Sequence, residues 1–262
     1  MFRRSLCLSL VLWLGLAVWA SLPARADDQQ LKEQIKSILR QNPELVLEVI
    51  REHKHEVLRL VQQALQAERK KLWLKRIRAE MKKPFHPVLE PDRLYLGPAD
   101  APFTVVAYSN FLCGHCATGD RTARLLVKKY PGQVRLLIKH SVHDDLAKRL
   151  ALYFMAIGRQ DPAKAWKFAD LVFSQQKEIR KKKEDALEKI VTRLGVDRKQ
   201  LYRDLADPVL ARRITADTEE HERFGFNSTP TFLINGVSLR GALPLRAFEE
   251  VIALLRQQAQ GR

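Results

Sequence analysis

The stretch FLCGHCATG, residues 111–119, contains two of the three cysteines in the chain, separated by a glycine and a histidine. Cys113 and Cys116 could form a redox centre, half of a metal site or a structural disulfide. A zinc site built from thiolates usually needs four ligands from paired motifs, and the sequence has no second C-x-x-C. A disulfide across two residues closes so short a loop that it removes little entropy from the unfolded chain, which makes it a poor structural brace.

The sequence on either side of these cysteines alternates between strand and helix patterns. Residues 103–108 form a continuous apolar run typical of a buried strand. A helix is expected to begin at Cys113 and to reach about Lys129, where Tyr130-Pro131-Gly132 ends it. Residues 134–138 then read as a second strand. Two strands joined through a helix predict a parallel pair with a right-handed crossover, with Cys113 at the helix N-terminus.

The rest of the chain continues this mixed pattern. Residues from about 143 to 223 show successive helical stripes, and two strands follow at 231–234 and 237–240 around Asn235-Gly236. Asn-Gly between two apolar runs is a strong hairpin signal. A last amphipathic helix is expected at about 245–258. The sequence therefore predicts an α/β domain over residues 93–262, with a helical insertion over about 143–223.

Two motifs in this order of elements resemble a known family, the bacterial DsbA-like thiol-disulfide oxidoreductases. They are Cys113-Gly114-His115-Cys116 and Ser228-Thr229-Pro230-Thr231-Phe232, and 114 residues lie between Cys113 and Ser228. The resemblance implies a thioredoxin-like α/β fold with an inserted helical domain. It also implies a redox-active disulfide between Cys113 and Cys116, with no other cofactor and no metal, that acts as oxidase or isomerase on exported proteins.

The resemblance further assigns roles to single residues. Cys113 would exchange with the client, Cys116 would resolve the mixed disulfide, and Gly114 and His115 would complete the catalytic motif. Pro230 would follow a cis peptide bond, so that the backbone of Thr229 faces Cys113 and pairs with an extended client. Many relatives carry a buried acid six residues before the first cysteine, where this chain has Ala107. This departure makes fast reductase turnover doubtful.

The position of Cys113 at a helix N-terminus favours its thiolate, because unpaired N–H groups and the positive end of the helix dipole lie there. A fall in its pKa from ~8.5 to about 5 would favour the thiolate by roughly 4.8 kcal/mol. The dipole supplies at most ~2 kcal/mol. We expect the remainder from N–H groups at His115 and Cys116, and from the His115 side chain. Such a stabilised thiolate could raise the reduction potential of the disulfide by about 100 mV.

The first residues of the chain have the pattern of a secretory signal peptide. Two arginines precede an apolar run of about sixteen residues, which is shorter than the ~20 of a membrane-spanning helix. Ala24-Arg25-Ala26 then offers a cleavage site. We therefore expect a signal peptide at residues 1–26 and a periplasmic protein. Cleavage would remove Cys7 and leave Cys113 and Cys116 as the two cysteines of the mature chain.

Residues 27–83 are predicted to be helical, with Asn42 and Pro43 starting a second, longer helix. Their apolar stripes need a partner, and three are possible: the main domain, further copies of the chain, or a membrane surface for the basic stretch 69–83. We favour self-association as a homodimer or homotrimer, since the segment also resembles the oligomerisation segments of ScsC-like members. Prolines at 84, 87 and 91 predict a linker over residues 84–92.

The formal net charge of +16 favours contact with anionic surfaces or acidic polypeptides. No base-reading motif is present, so no nucleic-acid partner is expected. We expect exported proteins with thiols or disulfides as substrates, and a membrane redox partner that recycles the site. A non-catalytic alternative would use Cys113 and Cys116 to bind Cu(I), or would make the protein a chaperone. His140 and His143 could chelate a metal but are predicted to lie on the surface.

Overall fold

The computed structural model describes residues 24–261. The described chain divides into two compact units, of which the first ends at residue 70 and the second begins at residue 71. The predicted signal peptide lies almost entirely outside the described residues. Only residues 24–26 of it are described, at the start of the first helix. Within residues 24–261 no helix combines the length and the apolar character that a membrane crossing requires.

The described part of the first unit is helical, as predicted. It contains α1 (Ala24–Gln41), α2 (Pro43–Glu52) and the beginning of α3 (Lys54–Lys82). The side chain of Asn42 does not cap α2; its amide instead donates a hydrogen bond of 3.0 Å to the carbonyl of Ile38 in α1. The single long helix predicted from Pro43 is wrong, because His53 has φ −100° and ψ 23° and separates α2 from α3.

The apolar side chains of the first unit are exposed. Ile38 in α1 and Leu58 in α3 have 51% and 54% of their surface accessible. The same holds for a larger set of leucines, isoleucines and valines along the three helices: Leu31, Ile35, Leu39, Leu45, Val46, Leu47, Val49, Ile50, Leu60, Val61 and Leu65. These helices therefore leave their apolar stripes uncovered within residues 24–70.

The last turns of α3 belong to the second unit and are packed into it. Ile77 has no accessible surface, and Met81 packs against the same core. Arg76 and Glu80 both bond to Ser238, whose backbone N–H donates to the Glu80 carboxylate at 2.6 Å. The basic stretch that the sequence allowed as a membrane-surface helix thus packs Ile77 and Met81 against protein, whereas Leu72 stays exposed.

The segment predicted as a linker, residues 84–92, lies against the second unit. Phe85 packs on a cluster of buried apolar residues and donates its N–H to the carbonyl of Gly236 at 2.9 Å. A Cβ at Gly236 would lie within 2.4 Å of the Phe85 carbonyl oxygen, so only glycine permits this approach. Further along, Val88 N–H donates to the buried Glu220 carboxylate at 2.8 Å.

A mixed sheet in the order β1-β3-β2-β4-β5 forms the centre of the second unit. Its strands are β1 (Tyr95–Leu96), β2 (Phe103–Ser109), β3 (Val134–His140), β4 (Thr231–Ile234) and β5 (Val237–Arg240). The predicted parallel pair is confirmed, with Phe103 opposite Val134 and Ser109 opposite His140. β4 is antiparallel to β2 and forms the predicted hairpin with β5.

Helices cover this sheet and fill the predicted insertion. They are α4 (Gly114–Lys129), which joins β2 to β3, then α5 (Asp145–Gln160), α6 (Pro162–Ser174), α7 (Gln176–Lys182), α8 (Glu184–Leu194), α9 (Arg198–Leu205) and α10 (Pro208–Arg223) between β3 and β4, and finally α11 (Leu245–Gln260). The fold is thus the predicted thioredoxin-like α/β architecture with an inserted helical domain.

Buried ion pairs attach α10 to the sheet and to the segment before β1. The Arg93 guanidinium makes two hydrogen bonds of 2.7 Å to the Asp217 carboxylate. Lys139 and Tyr108 both donate to Glu220 at 2.5 Å. Because breaking one partner of such a buried pair leaves an uncompensated charge, these contacts fix α10 and hence the start of the loop that leads to β4.

Candidate active site

Cys113 lies where β2 ends and α4 begins, as the sequence predicts. It is the N-cap residue of α4, and its Sγ accepts a hydrogen bond of 3.3 Å from the N–H of Cys116. Asn110 shapes the turn before Cys113. Its side-chain oxygen accepts a hydrogen bond from the Leu112 N–H at 2.8 Å, and its backbone carbonyl accepts one from the Cys113 N–H at 3.0 Å. Asparagine favours such turns because its side chain bonds to the backbone two residues on.

The two sulfurs differ in exposure, and neither is bonded to another cysteine. Cys113 is partly exposed, whereas Cys116 has no accessible surface. The backbone N–H of Asn110 points at Cys116 Sγ over 3.5 Å. Cys116 is therefore enclosed between α4 and the end of β2, and Cys113 is the sulfur that another molecule can reach.

Electrostatics separate the two thiols further. A hydrogen bond from the Cys116 thiol is the largest influence on Cys113, and the backbone N–H groups of Cys116 and His115 add to it, so that the pKa of Cys113 falls to about 5. The same contact, with burial, raises the pKa of Cys116 well above its ordinary value. The pair thus favours a Cys113 thiolate that accepts a hydrogen bond from a Cys116 thiol.

Gly114 and His115 occupy the first turn of α4 and are exposed. His115 acts on Cys113 through its backbone N–H, which is one of the groups that lower the Cys113 pKa. A contribution from the imidazole, which the sequence led us to expect, stays a prediction. A Cβ at Gly114 would meet open space, so the site tolerates larger residues there sterically.

The Thr229-Pro230 peptide bond is cis, as the resemblance implied. Tyr108 in β2 lies opposite Thr231 in β4, which brings the preceding loop beside the end of β2. Cys113 Sγ lies 3.5 Å from the carbonyl oxygen of Thr229. The structure therefore brings together four of the predicted site residues, Cys113, Cys116, Thr229 and Pro230, from two distant parts of the sequence.

The close approach of α4 to this loop depends on Gly119, which the sequence analysis did not identify. A Cβ at Gly119 would lie 2.8 Å from Cζ of Phe232 and 3.0 Å from Cγ of Pro230. Such distances are shorter than van der Waals contact, so a larger residue would push α4 away from Pro230. Gly119 is thus needed for the distance between Cys113 and Thr229.

A cleft of about 560 Å³, lined mainly by polar residues, begins at Asn110 and Thr229, which contact Cys116 and Cys113. It is bordered by Asn110 and Thr229 at the active-site end, and Ser141, His143, His221, Asn227 and Ser228 also line it. His221 is buried, and its Nδ1 lies 3.1 Å from Ser141 Oγ. Burial lowers the pKa of His221 to about 4, so this ring is neutral at physiological pH.

Two further positions bear on the chemistry. Ala107 is 4% exposed and lies opposite Ile138 in β3 and Phe232 in β4, so the position that many relatives give to an acid is apolar here. The prediction that His140 lies on the surface is wrong. It is the last residue of strand β3 and is buried between Phe111 and Phe154, whereas His143 is exposed.

The described residues offer no metal site of ordinary composition. Within residues 24–261, no group of three or more histidine, cysteine or acidic side chains is arranged to hold an ion. Two atoms beside Cys113 Sγ could also coordinate a metal ion: Cys116 Sγ and the carbonyl oxygen of Thr229. Thiolates select Cu(I) well, and the pair is the only such soft donor set among the described residues.

A C-x-x-C pair at the N-terminus of the first long helix after a central strand, facing a Thr-cis-Pro loop, defines the thioredoxin class of proteins. The chain belongs to the thioredoxin family: the family model described as thioredoxin matches residues 90–253, more than half of the chain. This range begins just before β1 and ends within α11, and it contains both motifs.

Solved structures agree with this fold. Wolbachia pipientis alpha-DsbA1 is 20% identical, covers 66% of this chain and 94% of its own, and superposes with a TM-score of 0.58. ScsC of Proteus mirabilis, in a transitional conformation, is 15% identical, covers 89% of this chain and 99% of its own, with a TM-score of 0.56. At these identities the likeness concerns the fold alone, which is that of the DsbA-type proteins.

Curated relatives match part of the chain. A Na(+)/H(+) antiporter NhaA from Herminiimonas arsenicoxydans is 26% identical over 68% of this chain but only 28% of its own length. The chain thus spans about a quarter of the length of the relatives that it matches first. A probable disulfide bond formation protein D from Bacillus cereus is 28% identical over 54% of this chain and 69% of its own length.

Proposed function

We propose that this protein is an exported thiol-disulfide oxidoreductase that exchanges disulfides with other exported proteins through Cys113. The observation that supports this most strongly is geometric: the partly exposed Cys113 Sγ lies at the N-terminus of α4, accepts the Cys116 N–H and faces the Thr229 carbonyl, with Cys116 buried behind it. The thiolate is the reactive form of cysteine in disulfide exchange. A reachable thiolate backed by a sheltered thiol is the arrangement that this reaction needs.

In the oxidising direction, a client thiolate attacks Cys113 Sγ in the Cys113–Cys116 disulfide. The S–S bond breaks, its electron pair leaves on Cys116, and Cys116 takes up a proton. A second client thiolate then attacks the client sulfur of the mixed disulfide and releases Cys113 as a thiolate. The client loses two electrons and gains a disulfide, and the protein gains the two electrons as a dithiol.

The lowered pKa of Cys113 favours this direction. A stable thiolate is a good leaving group, and stabilisation of the reduced form makes the disulfide a stronger oxidant. In reverse, the Cys113 thiolate would attack a client disulfide and Cys116 would then displace the client, which leaves the client reduced and re-forms the Cys113–Cys116 disulfide. That displacement requires deprotonation of Cys116, and the apolar surroundings of Ala107 provide no acid or base for it. Isomerisation shares only the first attack, because a client thiolate then displaces Cys113 and no net electrons are transferred. We therefore place oxidation first, isomerisation second and net reduction last.

The client is proposed to bind beside Thr229. A segment in extended conformation can pair its backbone with the Thr229 carbonyl, as an added strand does at a sheet edge. The polar cleft that begins at Asn110 and Thr229 offers room for the residues that flank the client cysteine. Binding through the main chain would let the site accept many client sequences.

We propose the periplasm as the location of the protein. The arginines, apolar run and A-x-A site within residues 1–26 support export. An oxidising compartment also suits a disulfide that is meant to be given away, because cytosolic thiols would reduce it. Recycling would then require a membrane redox partner that removes electrons from the reduced pair.

The first unit is proposed to join copies of this chain as a homodimer or homotrimer. Its apolar stripes are exposed along α1, α2 and the start of α3, and exposed stripes of this length are typical of helices that pack on partners. The ScsC structure, unlike the shorter alpha-DsbA1, covers most of this chain, which supports a comparable N-terminal segment.

Substitution of each cysteine tests the exchange function. Cys116→Ala should accumulate mixed disulfides with exported proteins, because the resolving thiol is absent and the client remains attached to Cys113. Cys113→Ala is the matched control and should trap none, since Cys116 is enclosed. Non-reducing gels after acid quenching count the adducts.

Two outcomes would contradict the oxidoreductase proposal. One is equal trapping by both variants, or trapping by neither. The other is stoichiometric Cu(I) uptake by the wild-type protein with no activity on reduced or scrambled substrates, which would favour the soft-metal binder or a chaperone instead.

A further inference from the structure

Helix α7 of the insertion bonds to the backbone of the active-site turn. Gln176 Nε2 donates to the carbonyl of Phe111 at 2.8 Å and to that of Cys113 at 3.0 Å. Arg180 Nη2 donates to the carbonyl between them, that of Leu112, at 2.6 Å. Gln176 and Arg180 are four residues apart and so lie on one helix face. Three consecutive carbonyl groups, including that of Cys113, therefore accept hydrogen bonds from a single face of α7.

The middle of α7 is buried in the core. Ile179, between the two turn-binding residues, has no accessible surface. Lys183, which follows α7, has φ 44° and ψ −110° and is exposed. Burial of Ile179 therefore anchors the helix whose side chains bond to residues 111–113.

We propose that Gln176 and Arg180 are positioning residues for disulfide exchange: they fix the turn that presents Cys113, and the Arg180 charge stabilises the Cys113 thiolate. This inference rests on the proposed exchange function and adds the inserted domain to its machinery. Neither residue touches a reacting atom. Both act on Cys113 through the peptide groups of residues 111–113.

The physical reason lies in the orientation of these peptide groups. Their carbonyl oxygens carry partial negative charge close to the sulfur that becomes an anion. A guanidinium donating to one of them offsets that charge and adds a full positive charge nearby, and Coulomb attraction at a partly exposed site is of the order of one pKa unit or less. The amide of Gln176 holds the two outer carbonyls, which keeps Cys113 Sγ directed at Thr229.

Lys181 provides a control on the same helix. It neighbours Arg180, carries the same charge and is exposed, and no hydrogen bond from it to residues 111–113 is found in the described structure. A general effect of the basic surface would appear equally when either charge is removed. A positioning effect would appear for Arg180 alone.

The experiment compares Arg180→Met, Arg180→Lys, Gln176→Leu and Lys181→Met in the full chain. Two quantities are measured: the pH titration of the Cys113 thiolate by ultraviolet absorbance, and the equilibrium constant of the protein disulfide with glutathione. Arg180→Met should raise the Cys113 pKa and lower that equilibrium constant about three- to ten-fold. Gln176→Leu should shift both in the same direction, Arg180→Lys should restore most of the wild-type values, and Lys181→Met should change them less than about two-fold.

The inference is overturned if Arg180→Met matches the wild type, or if it and Lys181→Met shift equally. Should Arg180→Met fail to fold, Arg180→Gln, which keeps an N–H donor and loses the charge, is compared with Lys181→Met by the same criteria. Failure of the proposed function would look different: the wild-type thiol itself would titrate like free cysteine and would not exchange with glutathione.

Discussion

The pKa of Cys113 is lowered and the pKa of Cys116 is raised because the two sulfurs have different surroundings. Cys113 is at the edge of the fold, where N–H groups of α4 and the Cys116 thiol donate to it. Cys116 is enclosed, so a charge on it would lose its hydration, and the thiolate of Cys113 beside it adds repulsion. One sulfur is therefore ready to react, and the other stays a neutral donor until the disulfide forms.

This asymmetry predicts a titration in the acidic range. The folded pKa of Cys113, about 5, lies below the value of 9.0 for an unperturbed thiol. The stability that the thiolate gives the reduced protein is thus fully present above pH 9.0, and it is lost as the pH falls through about 5. Thiolate absorbance of the reduced protein should show its midpoint near pH 5. Cys113→Ser should remove that transition, and a midpoint in the ordinary range of cysteine would refute the assignment.

At the residue scale the sequence identified the sulfurs and Thr229-Pro230 but not the residues that support them. The C-x-x-C spacing identifies Cys113 and Cys116 because few residue types carry redox chemistry. The turn asparagine, Asn110, had a local signal that could have been used, since it separates a strand from a helix. Gln176 and Arg180 had none, because a basic helical stretch has the same pattern whether it faces solvent or a turn 63 to 68 residues away.

Elements with strong local signals were predicted close to their observed bounds. The hairpin strands β4 and β5 match residue for residue, because Asn235 and Gly236 adopt the positive φ values that such a turn requires. The two-residue strand β1 was missed, since two residues show no periodicity. His140 was misplaced for a related reason: burial at the end of strand β3 depends on α5, which no local pattern reveals.

Helix α3 shows why an apolar stripe does not identify its partner. Its apolar stripe continues from the first unit into the second, yet the surroundings of the apolar side chains change along the helix. Leu65 is exposed, whereas Ile77 is buried in the core beside the Arg76, Glu80 and Ser238 contacts. The sequence analysis ended the N-terminal helical segment at residue 83, whereas the two compact units of the structure divide between Lys70 and Lys71. Helices in coiled coils and helices in domain cores have the same spacing of apolar residues, so only tertiary contacts distinguish the two.

At the scale of the whole molecule, this boundary determines how self-association should be tested. Deletion of residues 27–70 removes the exposed stripes but keeps Ile77 and Glu80. We predict that light scattering then gives the mass of a monomer, and that the protein retains its exchange activity. Deletion of residues 27–83 is the informative comparison, because loss of the buried Ile77 side chain alone is expected to cost about 2–5 kcal/mol of unfolding free energy.

An unchanged mass after deletion of residues 27–70 would show that self-association, if present, uses another surface. A wild-type protein that is already monomeric would refute the homo-oligomer proposal outright. Equal unfolding free energies for the two deletions, measured in urea, would contradict the packing of the last turns of α3 on the second unit.

The central claim is that a stabilised Cys113 thiolate makes the Cys113–Cys116 disulfide one that the protein gives away. The most direct test is the equilibrium of the wild-type protein with reduced and oxidised glutathione, read as the fraction of free Cys113 thiol. We predict a reduction potential between about −120 and −180 mV, the range of protein oxidants and isomerases. A value near that of thioredoxin, about −270 mV, would make the protein a reductant and contradict this prediction.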